Sequence, residues 1–176
     1  MQLIVRLGRA GAAGILPAAG LALALAAGPA DAQSVRQIGS FRDWSAYSAA
    51  EGTGHICFAM AKAAEVTPQP DGYTQAYLYL TRRPAENVSN ELNLVAGFAL
   101  DPDQPATLSV AGQTFNLFAR DDAAWLQDTS QNDSLAGDMR AGTTAVIDVT
   151  SDKGIKVEET FSLAGATAAS RAIGTC

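Results

Sequence analysis

With 48% hydrophobic residues over 176 positions and a formal charge of −6, the chain can bury one sizeable core. Its acidic residues are scattered and no basic stripe offsets them, which argues against nucleic acid or an anionic membrane surface as a partner. One histidine and two cysteines leave a tetrahedral metal shell unfilled, so neither a metal nor another cofactor is expected.

Residues 1–32 read as a secretory signal peptide. Arg6 and Arg9 supply the basic end, Gly11–Ala27 is an uncharged Ala/Leu/Gly run, and Ala30-Asp31-Ala32 has the small-x-small pattern of a cleavage site after Ala32. The run is short and weakly apolar for a membrane span, so no stable anchor is expected after cleavage. That reading leaves residues 33–176 as one β-rich domain in the periplasm or on the cell surface.

Gln33–Ser40 is polar and reads as a lead-in. Phe41-Arg42-Asp43-Trp44 opens a first strand, where Trp44, Ala46 and Ser48 alternate with Ser45 and Tyr47. A strand over His55–Lys62 puts Ile56, Phe58 and Met60 on one face and His55, Cys57 and Ala59 on the other. Tyr73–Arg82 is rich in aromatic residues and alternates Tyr73, Tyr77 and Tyr79 with Ala76, Leu78 and Leu80. Leu92, Leu94, Ala96 and Phe98 outline another strand, in which Gly97 marks a bulge or the close approach of a neighbour. Thr107–Val110 and Thr114–Phe118 form a hairpin around Ala111-Gly112-Gln113. Asp122–Leu126 is too short to assign Trp125 to a strand or a turn. Asn132–Gly142 reads as a short helix capped by Asp133, with Leu135 and Met139 on one face. Thr143–Thr150 and Ile155–Leu163 make a last hairpin about Ser151–Gly154, and the Ala-rich stretch after Gly165 reads as a C-terminal helix. The class is all-β: an antiparallel β-sandwich or partly open barrel of about eight strands, with one short internal helix and a short C-terminal helix.

No catalytic constellation emerges. His55 is the one ordinary general-base candidate, and no serine lies in a G-x-S-x-G turn. Glu158 and Glu159 are adjacent on a strand and point to opposite faces. Glu159 interrupts an apolar face, as a residue at the sheet rim, a partner of Arg140, or the lining of a small pocket; the rim is the simplest of the three. Trp44 and Trp125 read as core. Tyr73, Tyr77 and Tyr79 are the candidate binding surface, set against an ordinary half-buried sheet face. In an exported chain Cys57 and Cys176 read most simply as one disulfide, with two free thiols as the alternative. Closing so long a loop would contribute roughly 4–5 kcal/mol at best.

Several of these pieces together resemble a known family. Phe41-Arg42-Asp43-Trp44, Ile56-Cys57-Phe58, Ala124-Trp125, Met139-Arg140-Ala141-Gly142, Ser151-Asp152-Lys153-Gly154 and Thr160-Phe161-Ser162-Leu163-Ala164-Gly165, with a closing cysteine, are similar in order and spacing to the invasion-associated locus B family of exported alphaproteobacterial proteins. The resemblance covers Phe41 to Cys176. It implies a small periplasmic or surface-associated β-domain, linked in some members to host-cell invasion, and brings no catalytic residue with it. The chain has Ser45, Ala46, Tyr47 and Ser48 where members tied to invasion carry a further cysteine, so a general envelope role is the expectation. The expected function is an exported, non-catalytic module that binds a protein or envelope component. A periplasmic carrier of a small apolar ligand is the alternative, and an envelope hydrolase using His55 stands third.

Overall fold

A computed structural model describes residues 35–51 and 54–175. The segment read as a signal peptide and Cys176 lie outside the described residues. The strands are β1 (Arg36–Phe41), β2 (Trp44–Glu51), β3 (Gly54–Lys62), β4 (Glu65–Thr67), β5 (Tyr77–Arg83), β6 (Val88–Val95), β7 (Ala106–Val110), β8 (Gln113–Arg120), β9 (Ala123–Leu126), β10 (Thr144–Thr150) and β11 (Lys156–Ser162). The helices are α1 (Asn132–Ala141) and α2 (Ala166–Ile173).

All eleven strands belong to one antiparallel sheet, in the order β1-β2-β3-β5-β6-β9-β8-β7-β10-β11-β4. The all-β class and both helices agree with the sequence. The sheet is open, its end strands β1 and β4 are unpaired with each other, and the strand count exceeds the expected eight. Two of the three additional strands share one physical cause. β1 and β4 are edge strands held by backbone pairing, with few inward side chains to leave a periodic signal. The polar residues expected to form a lead-in thus form β1 from Arg36 onward. β9 is four residues long, and it places Trp125 on a strand.

The sheet rolls over on itself. β4 follows β3 after only Ala63 and Ala64, yet pairs with β11 at the far end of the sheet order. The Ala64 N–H donates to the Thr160 carbonyl at 2.8 Å, so one continuous stretch of chain bridges the two ends. Inside the roll lie Trp44, Ala46, Ala59, Leu78, Leu92, Leu94, Leu108, Ile147, Val157 and Phe161, all essentially inaccessible. The helices bring Leu135 and Met139 of α1 and Ala169 and Ile173 of α2 to the same core. Two-residue turns suit the twist of the hairpins: Ala111 and Gly112 between β7 and β8 both take positive φ. Gly97 lies just past β6, where a Cβ would stand 3.0 Å from the Gln75 backbone, so close approach explains the glycine.

A second junction joins the ends of the roll at the β1–β2 turn. The Trp44 indole N–H donates to the Ser162 carbonyl at 2.9 Å, and the Asp43 N–H to the Ala164 carbonyl at 3.2 Å. The Ser162 hydroxyl donates to the Asp43 carboxylate at 2.6 Å and accepts from the Ala164 N–H at 3.2 Å. Gly165 follows at φ +100°, with its Cα against the Phe41 carbonyl, where an added Cβ would overlap the oxygen. Gly165→Ala therefore has to part the clasp as well as adopt a disfavoured backbone conformation. It should cost about 3 kcal/mol or more, read as a fall in the urea midpoint, and an unchanged midpoint would remove the clasp from the stability argument.

Candidate functional site

The outward face of half the sheet is aromatic. Tyr47 on β2 stands directly opposite Phe58 on β3, and their rings stack at 5.2 Å with 20° between planes. Phe58 reaches diagonally to Tyr79 on β5 at 6.0 Å, and Tyr79 lies 6.1 Å from Tyr77 on the same face. The row continues in register: Tyr79 opposite Asn93, Asn93 opposite Trp125, and Trp125 opposite Phe118. Phe118 and Trp125 stack at 5.6 Å, and the Arg120 guanidinium lies 5.5 Å from the Trp125 ring. The row thus crosses β2, β3, β5, β6, β9 and β8, a span of about 24 Å at ordinary strand spacing.

Each ring is partly covered by its neighbours while keeping a face to solvent, and Phe118 is 47% exposed. Aromatic pairs of this geometry contribute about 0.5–1.5 kcal/mol each beyond their buried area. Half-burial, followed by the nearby Tyr77 and Tyr47, raises the Tyr79 phenol above its usual range, so it stays neutral and can donate a hydrogen bond at ordinary pH. Asn93 spends its amide N–H groups on the Leu94 and Ala124 carbonyls, at 3.1 and 3.4 Å, leaving its carbonyl oxygen as an acceptor in the middle of the row. Beside Tyr47 and Met60 the face deepens into a groove of about 420 Å³, lined also by Asp43, Ser45, Lys62 and Ser162.

Of the three tyrosines singled out in the sequence, the structure brings Tyr77 and Tyr79 together on this face. Tyr73 lies before β5, packed against the core, and its hydroxyl accepts from the Ala76 N–H at 3.0 Å. Tyr47, Phe58, Phe118 and Trp125 complete the row. Trp125, read from sequence as core, faces outward, whereas Trp44 is buried as expected. The missed signal is the alternation of these aromatics with Ala46, Cys57, Ala59, Leu78, Leu92 and Ala124, which fill the inward positions.

At the mouth of the roll, direct cross-strand partners Arg36, Ser48, Cys57 and Arg82 line up across β1, β2, β3 and β5. With His55, Ala172 and Thr175, three of them bound an open cavity of about 390 Å³. Cys57 is buried there, and no free cysteine occurs among the described residues. His55 is exposed, and among the described residues no hydrogen bond or ion pair engages its side chain. Among those residues no group of three His, Cys, Asp or Glu side chains is placed to hold a metal ion, and no helix is long and apolar enough to cross a membrane.

Glu159 is the buried ionisable group. It sits at neither the sheet rim nor Arg140: it is 0% exposed, opposite Ile147 on one side and Val66 on the other, and neither carboxyl oxygen has a hydrogen-bond partner. Burial in this apolar setting pushes the carboxyl up from 4.5 to about 8. The folded protein keeps this proton to about pH 8, while the unfolded chain releases it near 4.5. The associated stability is full below pH 4.5, falls as pH rises between the two values and levels off above 8, a loss on the order of 3–5 kcal/mol. Glu159→Gln should erase that slope. Its urea midpoint should match the parent's at pH 4 and exceed it at pH 9; parallel curves would show that Glu159 titrates alike in both states.

Comparison with protein families finds a match to the invasion associated locus B (IalB) protein family over residues 44–174. Comparison with curated proteins and with solved structures finds no match. The matched segment runs from Trp44, at the start of β2, to Gly174, the residue after α2, and so takes in the Trp44 bond to Ser162, Gly165 and both helices. The chain is therefore a member of the invasion associated locus B family.

Proposed function

We propose that the chain is an exported, non-catalytic envelope module whose working surface is the aromatic row. The observation that carries the reading is the unequal treatment of the outer face. β2, β3, β5, β6, β9 and β8 present Tyr47, Phe58, Met60, Tyr77, Tyr79, Val95, Trp125 and Phe118, while β7, β10, β11 and β4 present mainly threonine, serine and charge. A row of half-exposed aromatic residues gathered on one side of a domain, in two clusters joined through Asn93, is unusual unless something covers it. Both helices turn their buried side chains to the opposite, inward face. The isolated, exposed His55 supports a role without acid–base chemistry. A carrier has less to recommend it, because large side chains from strands and helices join in one cluster inside the roll.

The test is retention on a purified envelope fraction of the source cell. The parent protein should be retained, Tyr79→Ala with Trp125→Ala should lose retention at least about tenfold, and Ser109→Ala on the hydroxyl-rich half should behave as the parent. Equal retention of all three would put the working surface elsewhere.

Export supplies the setting for the cysteine pairing. Cys57 lines the same cavity as Ala172 and Thr175, so the chain leaves the described residues close to Cys57, which supports a Cys57–Cys176 disulfide pinning α2 to β3. Protein purified from its own cell should have the intact mass of residues 33–176 less two hydrogens. A mass that includes residues 1–32 would refute export by cleavage after Ala32, and a full complement of hydrogens would refute the disulfide.

A further inference from the structure

We infer that β4 is a releasable strap, which lifts off β11 to let water reach the Glu159 carboxylate while the rest of the sheet stays paired. The surroundings of the carboxyl carry the inference. Glu159 is 0% exposed and both its oxygens lack a hydrogen-bond partner, so its charged form has nothing to stabilise it inside the roll. No neighbouring cation supplies the want. On the elements packed against it, Glu65 of β4, Lys62 of β3, Asp148 of β10, and Lys156 and Glu158 of β11 are exposed and occupy outward positions, and β7 carries no charge. Asp43, at the end of β11, accepts from the Ser162 hydroxyl. Arg36, Cys57 and Arg82 turn inward at the mouth of the roll, and the Tyr73 hydroxyl is engaged by the Ala76 N–H. Among the described residues Glu159 is the one charged side chain that is buried.

The route to water is set by what holds β11 on either side. β10 pairs with it over seven residues, and β4 over three. Moving β10 would break the longer ladder and uncover Ala145, Ile147 and Val149, all buried. Lifting β4 breaks the three-residue ladder and the Ala64 N–H bond to the Thr160 carbonyl at 2.8 Å. It uncovers little: Val66 is half-buried, while Ala64, Glu65, Thr67, Pro68 and Gln69 are exposed. β4 also ends the sheet order, so no further strand has to move with it. Elements with few buried apolar contacts are the ones that open first.

The strap has a fixed point at each end. The Ala63 N–H donates to the Ala76 carbonyl at 3.0 Å, and beyond Gln69 the buried Pro70 accepts from the Tyr73 N–H at 3.1 Å. Ala64–Gln69 can therefore swing between Ala63 and Pro70 without disturbing β3 or β5. The sign of the pH response follows from the two positions of the carboxyl. Closed, it keeps its proton to about pH 8; lifted and hydrated, it titrates near its ordinary 4.5. Opening thus releases one proton, so the ratio of open to closed rises about tenfold per pH unit between those values and is level outside them. Acid closes the strap and mild alkali loosens it. Release bares the backbone of Glu158–Thr160 at the sheet edge, so pH sets how often a strand-pairing edge is available.

The experiment is residue-resolved amide hydrogen exchange on the folded protein from pH 5 to 8, with rates corrected for intrinsic base catalysis and reclosing kept faster than exchange. Protection of the Ala64 amide, and of the protected amides of Glu65–Thr67, should fall about tenfold per pH unit and depend little on dilute urea. Amides of Leu78–Leu80 on β5 should stay better protected and follow the urea dependence of global unfolding. Glu159→Gln should make strap protection level with pH, whereas Glu158→Gln, altered at the neighbouring exposed carboxylate, should keep the parent's slope. Three results would each overturn the inference: strap protection that is level with pH in the parent, a slope that survives Glu159→Gln or vanishes in Glu158→Gln, and a urea dependence shared by strap and β5 amides. The last would mean that the carboxylate meets water only when the whole domain unfolds.

Discussion

The fold depends on one clasp, the seating of the β1–β2 turn on the end of β11. An open sheet that rolls over on itself has two unpaired edges and no ladder to keep its ends together. Here the Trp44 indole reaches the Ser162 carbonyl, Asp43 takes both the Ser162 hydroxyl and, through its own N–H, the Ala164 carbonyl, and Gly165 lets the chains touch. Trp44 is 1% exposed, so its N–H would be left without a partner if the junction opened. The same glycine is the N-cap of α2, so the geometry that closes the roll also aims the helix. α2 then lies along β1, β2 and β3 and turns Ala166, Ala169 and Ile173 into the core.

That helix explains why the aromatics face outward. α2 is alanine-rich, and the inward positions of the strands it meets are largely small: Ala46 on β2, with Cys57, Ala59 and Ala61 on β3. Small residues on both partners allow close packing, and a tyrosine or phenylalanine pointing inward at β3 would leave no room for the helix. The large apolar residues of β2, β3 and β5 other than Trp44 and the leucines occupy the other face, where each ring covers part of its neighbour. The outer row thus follows from how the inner layer is filled, and it is rigid because the sheet beneath it is.

Period-two patterning was enough to locate most strands and the hairpin turns, and the four-residue spacing of Leu135 and Met139 and the Ala-rich run after Gly165 located the helices, because those elements have a buried side to display. It was silent where the backbone alone makes the strand, as at Arg36–Phe41 and Glu65–Thr67. It was also ambiguous about direction. On β3 both alternating sets are apolar, and the period separates Phe58 from Cys57 without saying which faces the core. The tyrosines show the same limit: Tyr77 and Tyr79 share a face through β5, but Tyr73 belongs to a loop whose path is set by its hydroxyl bond to Ala76. The partners of Tyr79 in the row come from strands far away in sequence, and only the sheet order assembles them.

Glu159 shows how a local reading and a global constraint part ways. A carboxylate in an apolar strand is ordinarily found at a rim, because a buried charge without a partner is costly. Here Val157 and Phe161 on its own strand, Ile147 on β10 and Val66 on β4 are all directed inward, and the residue between them has to follow. The carboxyl meets the constraint by keeping its proton, which removes the charge and leaves the smaller penalty of an unsatisfied polar group. The edge strand β4 covers it with only three paired residues, so a buried carboxyl lies under a three-residue ladder at the edge of the sheet. Alkaline conditions thus act on the β11–β4 edge and the inward face. The aromatic row faces outward, and its phenol at Tyr79 is shifted upward, away from titration in the same range. Stability and surface chemistry respond to pH through different faces of one sheet, so a pH-dependent loss of fold is separable from a change in binding.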